Sequence, residues 1–262
     1  GSVGQYGPLV HLGATITEVL LKYIRIKFDR RVFIACGVAG AISAGFNAPI
    51  AGVLFAHEAL LRRFSIGAIA PIAVASIVAY AANQAFFNLE PMFSLPDMPI
   101  ELQPLIPFLI FTGVFSALTA VAYMAAIRKG RELATRSQWS MPKLLLSCVV
   151  VVGAIGVVVP DVAGLGLQQI NQMLDAQFGL GMLLVLLAGK IFVTAYCLNT
   201  GFFGGVFGPA LFVGAATGAV VAHLAILVGL APHLSYALPV AAIAAVGGAV
   251  IGAPLTSIMI VI

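Results

Sequence analysis

Charge is the scarcest feature of this sequence. Asp, Glu, Lys and Arg together supply 8% of its 262 residues, against 61% apolar residues. A soluble domain carries about 25% charged residues, and a mean hydropathy of +1.11 leaves too little polar surface for water to cover. Lipid must cover most of it. Apolar stretches recur from end to end, so a cleavable leader does not account for them. Cys36, Cys148 and Cys197 are singletons in apolar sequence with no CxxC pair. That pattern excludes a disulfide framework and a zinc site and leaves them as packing residues. There is no HExxH motif and no intramembrane Asp/His pairing, so neither an enzyme nor a metal or cofactor is expected. Residues 179–262 contain no carboxylate, which leaves little to coordinate sodium in a cation-coupled carrier. A net charge of +4 is too small and too scattered to suggest nucleic acid.

What charge there is sits in clusters. Twelve of the thirteen basic residues fall at Lys22–Arg31, at Arg62 and Arg63, and at Arg128–Lys143. The segment 88–104 holds Glu90, Asp97 and Glu101 and no base. The positive-inside rule places the basic clusters in the cytoplasm and 88–104 outside. Residues 64–87, 105–127, 144–160 and 179–198 then read as full crossings, close to the ~20 residues a bilayer needs. An external turn is expected around Asp161 to Asp175. Other apolar segments are too short or broken. Residues 8–21 end at the first basic cluster, Asn47-Ala48-Pro49 interrupts 32–61, and Gly252-Ala253-Pro254 interrupts 238–262. Proline cannot continue a helical ladder and restricts the residue before it. Half-length helices leave polar backbone at bilayer depth, tolerated only where it is buried or lines a wet cavity.

An internal repeat locates the cavity. Gly4-Gln5-Tyr6-Gly7-Pro8-Leu9-Val10-His11-Leu12-Gly13-Ala14 aligns with Gly205-Val206-Phe207-Gly208-Pro209-Ala210-Leu211-Phe212-Val213-Gly214-Ala215 at an offset of 201, with five of eleven positions identical. The proline breaks repeat at an offset of 205. The segment after the first motif runs into a basic cluster, whereas the segment after the second runs into residues 229–237, which lack Lys and Arg. The repeats are therefore inverted in the membrane, an architecture in which transporters place the site where the repeats meet. Proline in the first helical turn loses no hydrogen bond, and glycine lets backbone approach a ligand. The open N–H groups and the positive end of the helix dipole then form an anion site without a full positive charge. The plainer reading of these glycines is close helix packing.

With these residues in view, the sequence resembles the CLC family of chloride channels and chloride/proton antiporters. Ser2-Val3-Gly4-Gln5-Tyr6-Gly7-Pro8 is similar to the family's GREGP signature, and Gly205-Val206-Phe207-Gly208-Pro209 to its GxFxP signature. Gly45-Phe46-Asn47-Ala48-Pro49 and Gly252-Ala253-Pro254 resemble its two helix breaks. The resemblance implies an all-α membrane protein built as a CLC-like inverted repeat with broken, re-entrant half-helices. Residues 1–100 would be the first half, incomplete at its N-terminus, and 101–262 the second, incomplete at its C-terminus. It further implies chloride as the transported ligand, a homodimer with one pore per subunit, and backbone anion contacts at Tyr6, Gly7, Val206, Phe207 and Gly208. A bacterial inner (plasma) membrane is the expected location.

Two departures from the family pattern steer the functional expectation. Tyr6 stands at the gating glutamate, and a phenol with an ordinary pKa near about 10 stays neutral and cannot act as an anionic plug. Gln5 replaces the arginine of the same motif. The internal proton-transfer glutamate aligns with Ala59, beside Glu58; a one-residue slip would turn Glu58 or His57 about 100° away on an α-helix. The expectation is therefore passive, channel-like conduction of chloride, the alternative being a chloride/proton antiporter with a non-standard proton pathway. Other candidates keep two readings each. His57 and Glu58 sit at the cytoplasmic interface or take part in transport. Lys190, the one base inside an apolar span, raises the local anion concentration or else snorkels or pairs. Tyr6 and Phe207 line the pore rather than merely pack, His11 hydrogen-bonds within the bundle, and Trp139 anchors at the interface.

Overall fold

The computed structural model describes residues 2–23, 29–87, 92–93 and 101–262. Arg25, Lys27, Glu90 and Asp97, which entered the topology reading, lie outside the described residues. Eleven α-helices run through the rest: α1 Tyr6–Tyr23, α2 Arg30–Phe46, α3 Pro49–Phe55, α4 Ile66–Phe87, α5 Leu102–Arg136, α6 Met141–Val158, α7 Leu167–Leu174, α8 Leu180–Asn199, α9 Phe207–Leu227, α10 Ala237–Ile251 and α11 Pro254–Val261. A π-helical turn, Ala56–Leu61, continues α3. Among the described residues there is no strand beyond one isolated β-bridge. Among the described residues six segments are long and apolar enough to span a bilayer: α4, α5, α6, α8, α9 and Pro232–Ile251. The fold is all-α, and the protein is an integral membrane protein.

Three expectations change in detail. The helix of the expected crossing 105–127 does not end with it; α5 runs on to Arg136 for 35 residues, about 52 Å at 1.5 Å per residue. Lysine and arginine are good helix formers, so charge moves the helix out of the lipid without ending it. The turn around Asp161–Asp175 contains a 3-10 turn at Pro160–Val162 and the amphipathic helix α7. His11 is exposed rather than bonded inside the bundle.

The chain divides into two compact units. One comprises Gln5–Met92 and Ile251–Ile262. Here α1 and α4 pack on α2, and α11 packs on α3, around a core of Ala35, Ala39, Ala56, Ala68 and Ile72. The polar residues of α4 serve the break between α2 and α3. Ser76 Oγ donates to the Pro49 carbonyl at 2.7 Å, and its own carbonyl accepts from Ser43 Oγ at 2.7 Å. Asn83 donates to the Ala44 carbonyl at 3.1 Å, and Gln84 to Asn47 Oδ1 at 2.9 Å. Backbone opened by Pro49 is thus satisfied by side chains, as hydrocarbon surroundings demand.

The other unit comprises Gly1–Gly4 and Phe93–Val250. Its centre is α9, of whose 21 residues sixteen are buried, while α6 buries only Cys148. Helices α5, α7 and α8 pack against α9, and Ala120, Tyr123, Ala210, Val213 and Val246 form one of its core clusters.

The repeat inferred from sequence reappears as matched local geometry. At the two breaks, Asn47 (φ 56°) and Gly252 (φ 68°) take the left-handed conformation. Ala48 (φ −131°, ψ 89°) and Ala253 (φ −135°, ψ 76°) are extended, and Pro49 and Pro254 begin the next helix. Close packing repeats too. A Cβ on Gly13 of α1 would lie 2.5 Å from the Gly37 carbonyl oxygen of α2, and one on Gly214 of α9 would lie 2.7 Å from the Ala242 carbonyl oxygen of α10. Gly13 and Gly214 are equivalent at the offset of 201, Gly37 and Ala242 at 205. Small residues thus hold the same helix pair together in each repeat.

Gly13→Val and Gly214→Val are accordingly expected to destabilise the protein by about 1–3 kcal/mol through overpacking, read as a lower melting temperature in detergent. Gly153→Ala in α6, where a Cβ meets nothing within 4 Å, is the matched control and is expected to leave the melting temperature unchanged or raised. An unchanged melt for both valine variants would contradict the packing account.

Candidate functional site

Both glycine-proline motifs open a helix, and in the same way. α1 begins at Tyr6 with Pro8 as its third residue, and α9 at Phe207 with Pro209 as its third. Neither helix has an acidic residue in its first turn, and no side chain caps Val206. The first N–H groups of such helices point out of the ladder and carry the positive end of the dipole. Two residues ahead of each helix lies a glycine, and these two glycines form an antiparallel bridge: Gly4 N donates to Gly205 O at 2.7 Å and Gly205 N to Gly4 O at 2.6 Å. A Cβ on Gly4 would lie 2.9 Å from the Gly205 oxygen and 3.0 Å from Gly208 N, so only glycine fits there. Ser2 adds a hydroxyl contact to Thr194 at 3.3 Å.

The expected site residues occupy these places. In the unit that holds the second motif, Phe207 and Gly208 are buried and Val206 is half-buried. Tyr123 of α5, fully buried, donates its hydroxyl to the Val206 carbonyl at 2.9 Å. Sequence reasoning misses this contact; a lone tyrosine in an apolar helix is its only trace, because its partner lies 83 residues away. In the unit that holds α1, Tyr6 is 3% exposed and stacks on Phe46 of α2 with centroids 3.8 Å apart. Its hydroxyl donates to Met92 Sδ at 3.7 Å. Gly7 is half-buried beside it.

Lys190 neither snorkels nor pairs with a described carboxylate. Its Nζ donates to the Val162 carbonyl at 3.1 Å and the Gly164 carbonyl at 2.8 Å, and lies 4.5 Å from the centroid of the Phe212 ring on α9. The amine ties the segment before α7 to α8 and α9. His57 and Glu58 part company. His57 is 1% exposed, with Nδ1 3.1 Å from the Arg63 carbonyl oxygen and its ring stacked on Phe64. The Glu58 carboxylate caps α11, accepting from Leu255 N at 3.0 Å, Thr256 N at 2.8 Å and Thr256 Oγ1 at 2.7 Å. Residues 56–61 form a π turn, so the 100° step of an α-helix does not describe them. The wider turn resets the direction of each side chain.

Removing the amine in Lys190→Met would take the donor from the buried Val162 carbonyl and from the carbonyl of the exposed Gly164, a loss on the order of 1–3 kcal/mol. A clear fall in melting temperature is the expected result; an unchanged melt with altered anion flux would give Lys190 an electrostatic role instead.

Comparison with known proteins fixes the family. The chain matches the voltage gated chloride channel family over residues 1–262. The H(+)/Cl(-) exchange transporter ClcA of Vibrio cholerae serotype O1 is 31% identical over 99% of this chain. The chain spans 58% of that relative's length. Two solved structures share the fold. A slow cyanobacterial Cl-/H+ antiporter superposes with a TM-score of 0.84 at 21% identity, over 99% of this chain and 62% of its own. A CLC-type fluoride/proton antiporter superposes with a TM-score of 0.82 at 24% identity, over 100% of this chain and 65% of its own. The expectation of a passive channel is corrected by these matches, since each of the three proteins is an exchanger or antiporter by name. That expectation infers loss of coupling from one missing carboxylate at Tyr6 and one at Ala59, whereas a proton needs a protonatable group, not those two positions. By its match along the whole of its length, this chain belongs to the CLC, or voltage gated chloride channel, family.

Proposed function

We propose that the full protein is a chloride/proton antiporter with a non-standard proton pathway, acting as a homodimer with one pathway per subunit in a bacterial plasma membrane. The observation that supports this most is the 31% identity to an H(+)/Cl(-) exchange transporter across 99% of the chain. Residues 1–100 and 101–262 would be its two inverted halves. Chloride binds to backbone amides, those of Tyr6 and Gly7 at the start of α1 and those of Val206, Phe207 and Gly208 at the start of α9. Helix N-termini suit this task because they attract an anion without the tight hold of a formal cation, and transport needs release as well as binding. Tyr6 stays neutral, so the proton does not travel on a carboxylate at that position. The same position governs access to the first tip, because a buried ring stacked on Phe46 must shift for an ion to pass it.

Simultaneous recording of chloride and proton movement by the full-length protein in liposomes tests the reading. A chloride gradient is expected to drive protons uphill at a fixed ratio; chloride movement with no proton movement would contradict it. Tyr6→Ala is expected to raise the chloride rate and Tyr6→Glu to lower it at neutral pH, with recovery as the pH falls and the carboxylate is neutralised. If neither substitution alters rate or pH dependence, Tyr6 does not control the pathway.

A further inference from the structure

Coupled exchange, the function proposed for this protein, requires a group inside it that gains and loses a proton. Most ionisable side chains withdrawn from water are already engaged. Tyr123 donates to the Val206 carbonyl, Tyr6 to Met92, and Lys190 to two carbonyls. The Cys148 and Cys197 sulfurs face each other at 3.8 Å. Glu58, the carboxylate next to His57 in the chain, accepts three hydrogen bonds from the start of α11. Backbone N–H donors at a helix start are suited to a fixed carboxylate, so Glu58 acts as a cap and not as a carrier.

His57 is different. Its Nδ1 faces the Arg63 carbonyl oxygen at 3.1 Å, and a carbonyl can only accept, so Nδ1 carries the hydrogen. The neutral ring then places its lone pair on Nε2. That atom is buried and has no hydrogen-bond partner among the described residues. A buried acceptor left open costs stability, and such an exception calls for an explanation, a role in proton transfer among those available. The setting is equally unusual: π turns are rare and recur at functional sites, and this one spans Ala56–Leu61 and ends at Arg62 in the left-handed conformation. Arg62 and Arg63, both exposed, place the turn on the cytoplasmic side.

The charged and titratable groups around the ring are few. Helix α2, packed against the π turn, contributes the half-buried Cys36 and, at its start, the exposed Arg30 and Arg31. Helix α3, also packed there, contributes none. Glu58 neighbours His57 on the turn itself, and Arg62 and Arg63 follow it.

We infer that His57 is the proton-transfer residue on the cytoplasmic side of this exchanger, an assignment that rests on the antiporter reading. Nε2 takes a proton from a hydronium ion entering from the cytoplasm: an O–H bond breaks to leave water, and an N–H bond forms to give an imidazolium. The same N–H bond then breaks to a water on the side toward the membrane interior, which becomes hydronium, and the ring returns to its Nδ1–H form with no net change.

His57→Asn keeps a donor for the Arg63 carbonyl and removes the basic nitrogen. In liposomes, full-length His57→Asn is expected to carry chloride close to the wild-type rate while proton transport falls on the order of tenfold or more. His57→Glu is expected to restore part of the coupling. Wild-type proton-to-chloride stoichiometry in His57→Asn would overturn the assignment. Chloride flux without protons in the wild type would instead overturn the antiporter reading, and the assignment with it. Should His57→Asn carry no chloride at all, nitrogen-15 spectra of histidine-labelled wild-type protein decide. An Nδ1–H tautomer that gains a proton at Nε2 as the pH is lowered supports the role, and a ring that never titrates overturns it.

Discussion

Backbone opened inside a bilayer must find partners, and the rest of this structure depends on how that is met. A helix that begins or ends in hydrocarbon leaves several N–H or C=O groups without a ladder. The chain answers in three ways. Where a carbonyl is exposed, at the α2 end, Asn83 of α4 supplies a donor to Ala44. Where a helix starts beside a carboxylate, Glu58 accepts from α11. Where two helices start without an acidic residue in the first turn, at Tyr6 and Phe207, glycines two residues upstream pair with each other, and on the proposed function the amides beyond them bind the anion. Satisfaction by protein makes a break structural; satisfaction by an ion makes it functional.

Much of this is legible in the sequence because its signals are local. Proline and glycine punctuate a helix wherever they fall, so the breaks at Asn47-Ala48-Pro49 and Gly252-Ala253-Pro254 and the helix starts at Tyr6 and Phe207 follow from a few residues each. The repeat is legible because its landmarks recur in order, and the shared contacts of Gly13 and Gly214 give its alignment a physical basis. Helix α5 outruns its expected length because charge marks the limit of lipid contact, and arginine and lysine end that contact without ending the helix. Helix α7 stays hidden because eight residues, Leu167–Leu174, are too few to show a period among polar neighbours.

The site is only half legible, since its decisive contacts are distant in the chain. Glu58 and Thr256 lie 198 residues apart, and Tyr123 reaches Val206 across 83. No spacing rule joins such pairs. The direction of His57 rests on a π turn, which removes the α-helical phase on which its exclusion from transport depends. The expectation of a passive channel fails for the same reason. Absent carboxylates at two aligned positions say what those positions lack, and say nothing of other protonatable groups such as the buried imidazole beside Glu58.

On the function proposed above, transport turns on anions held by the backbone amides of the two helix tips. Crystals of the full-length protein grown in bromide, with anomalous scattering recorded at the bromine edge, measure this most directly. Density is expected within hydrogen-bond reach of the Tyr6 and Gly7 amides at the start of α1, and of the Val206, Phe207 and Gly208 amides at the start of α9. Empty tips, with ordered bromide elsewhere in the membrane-embedded protein, would contradict that claim.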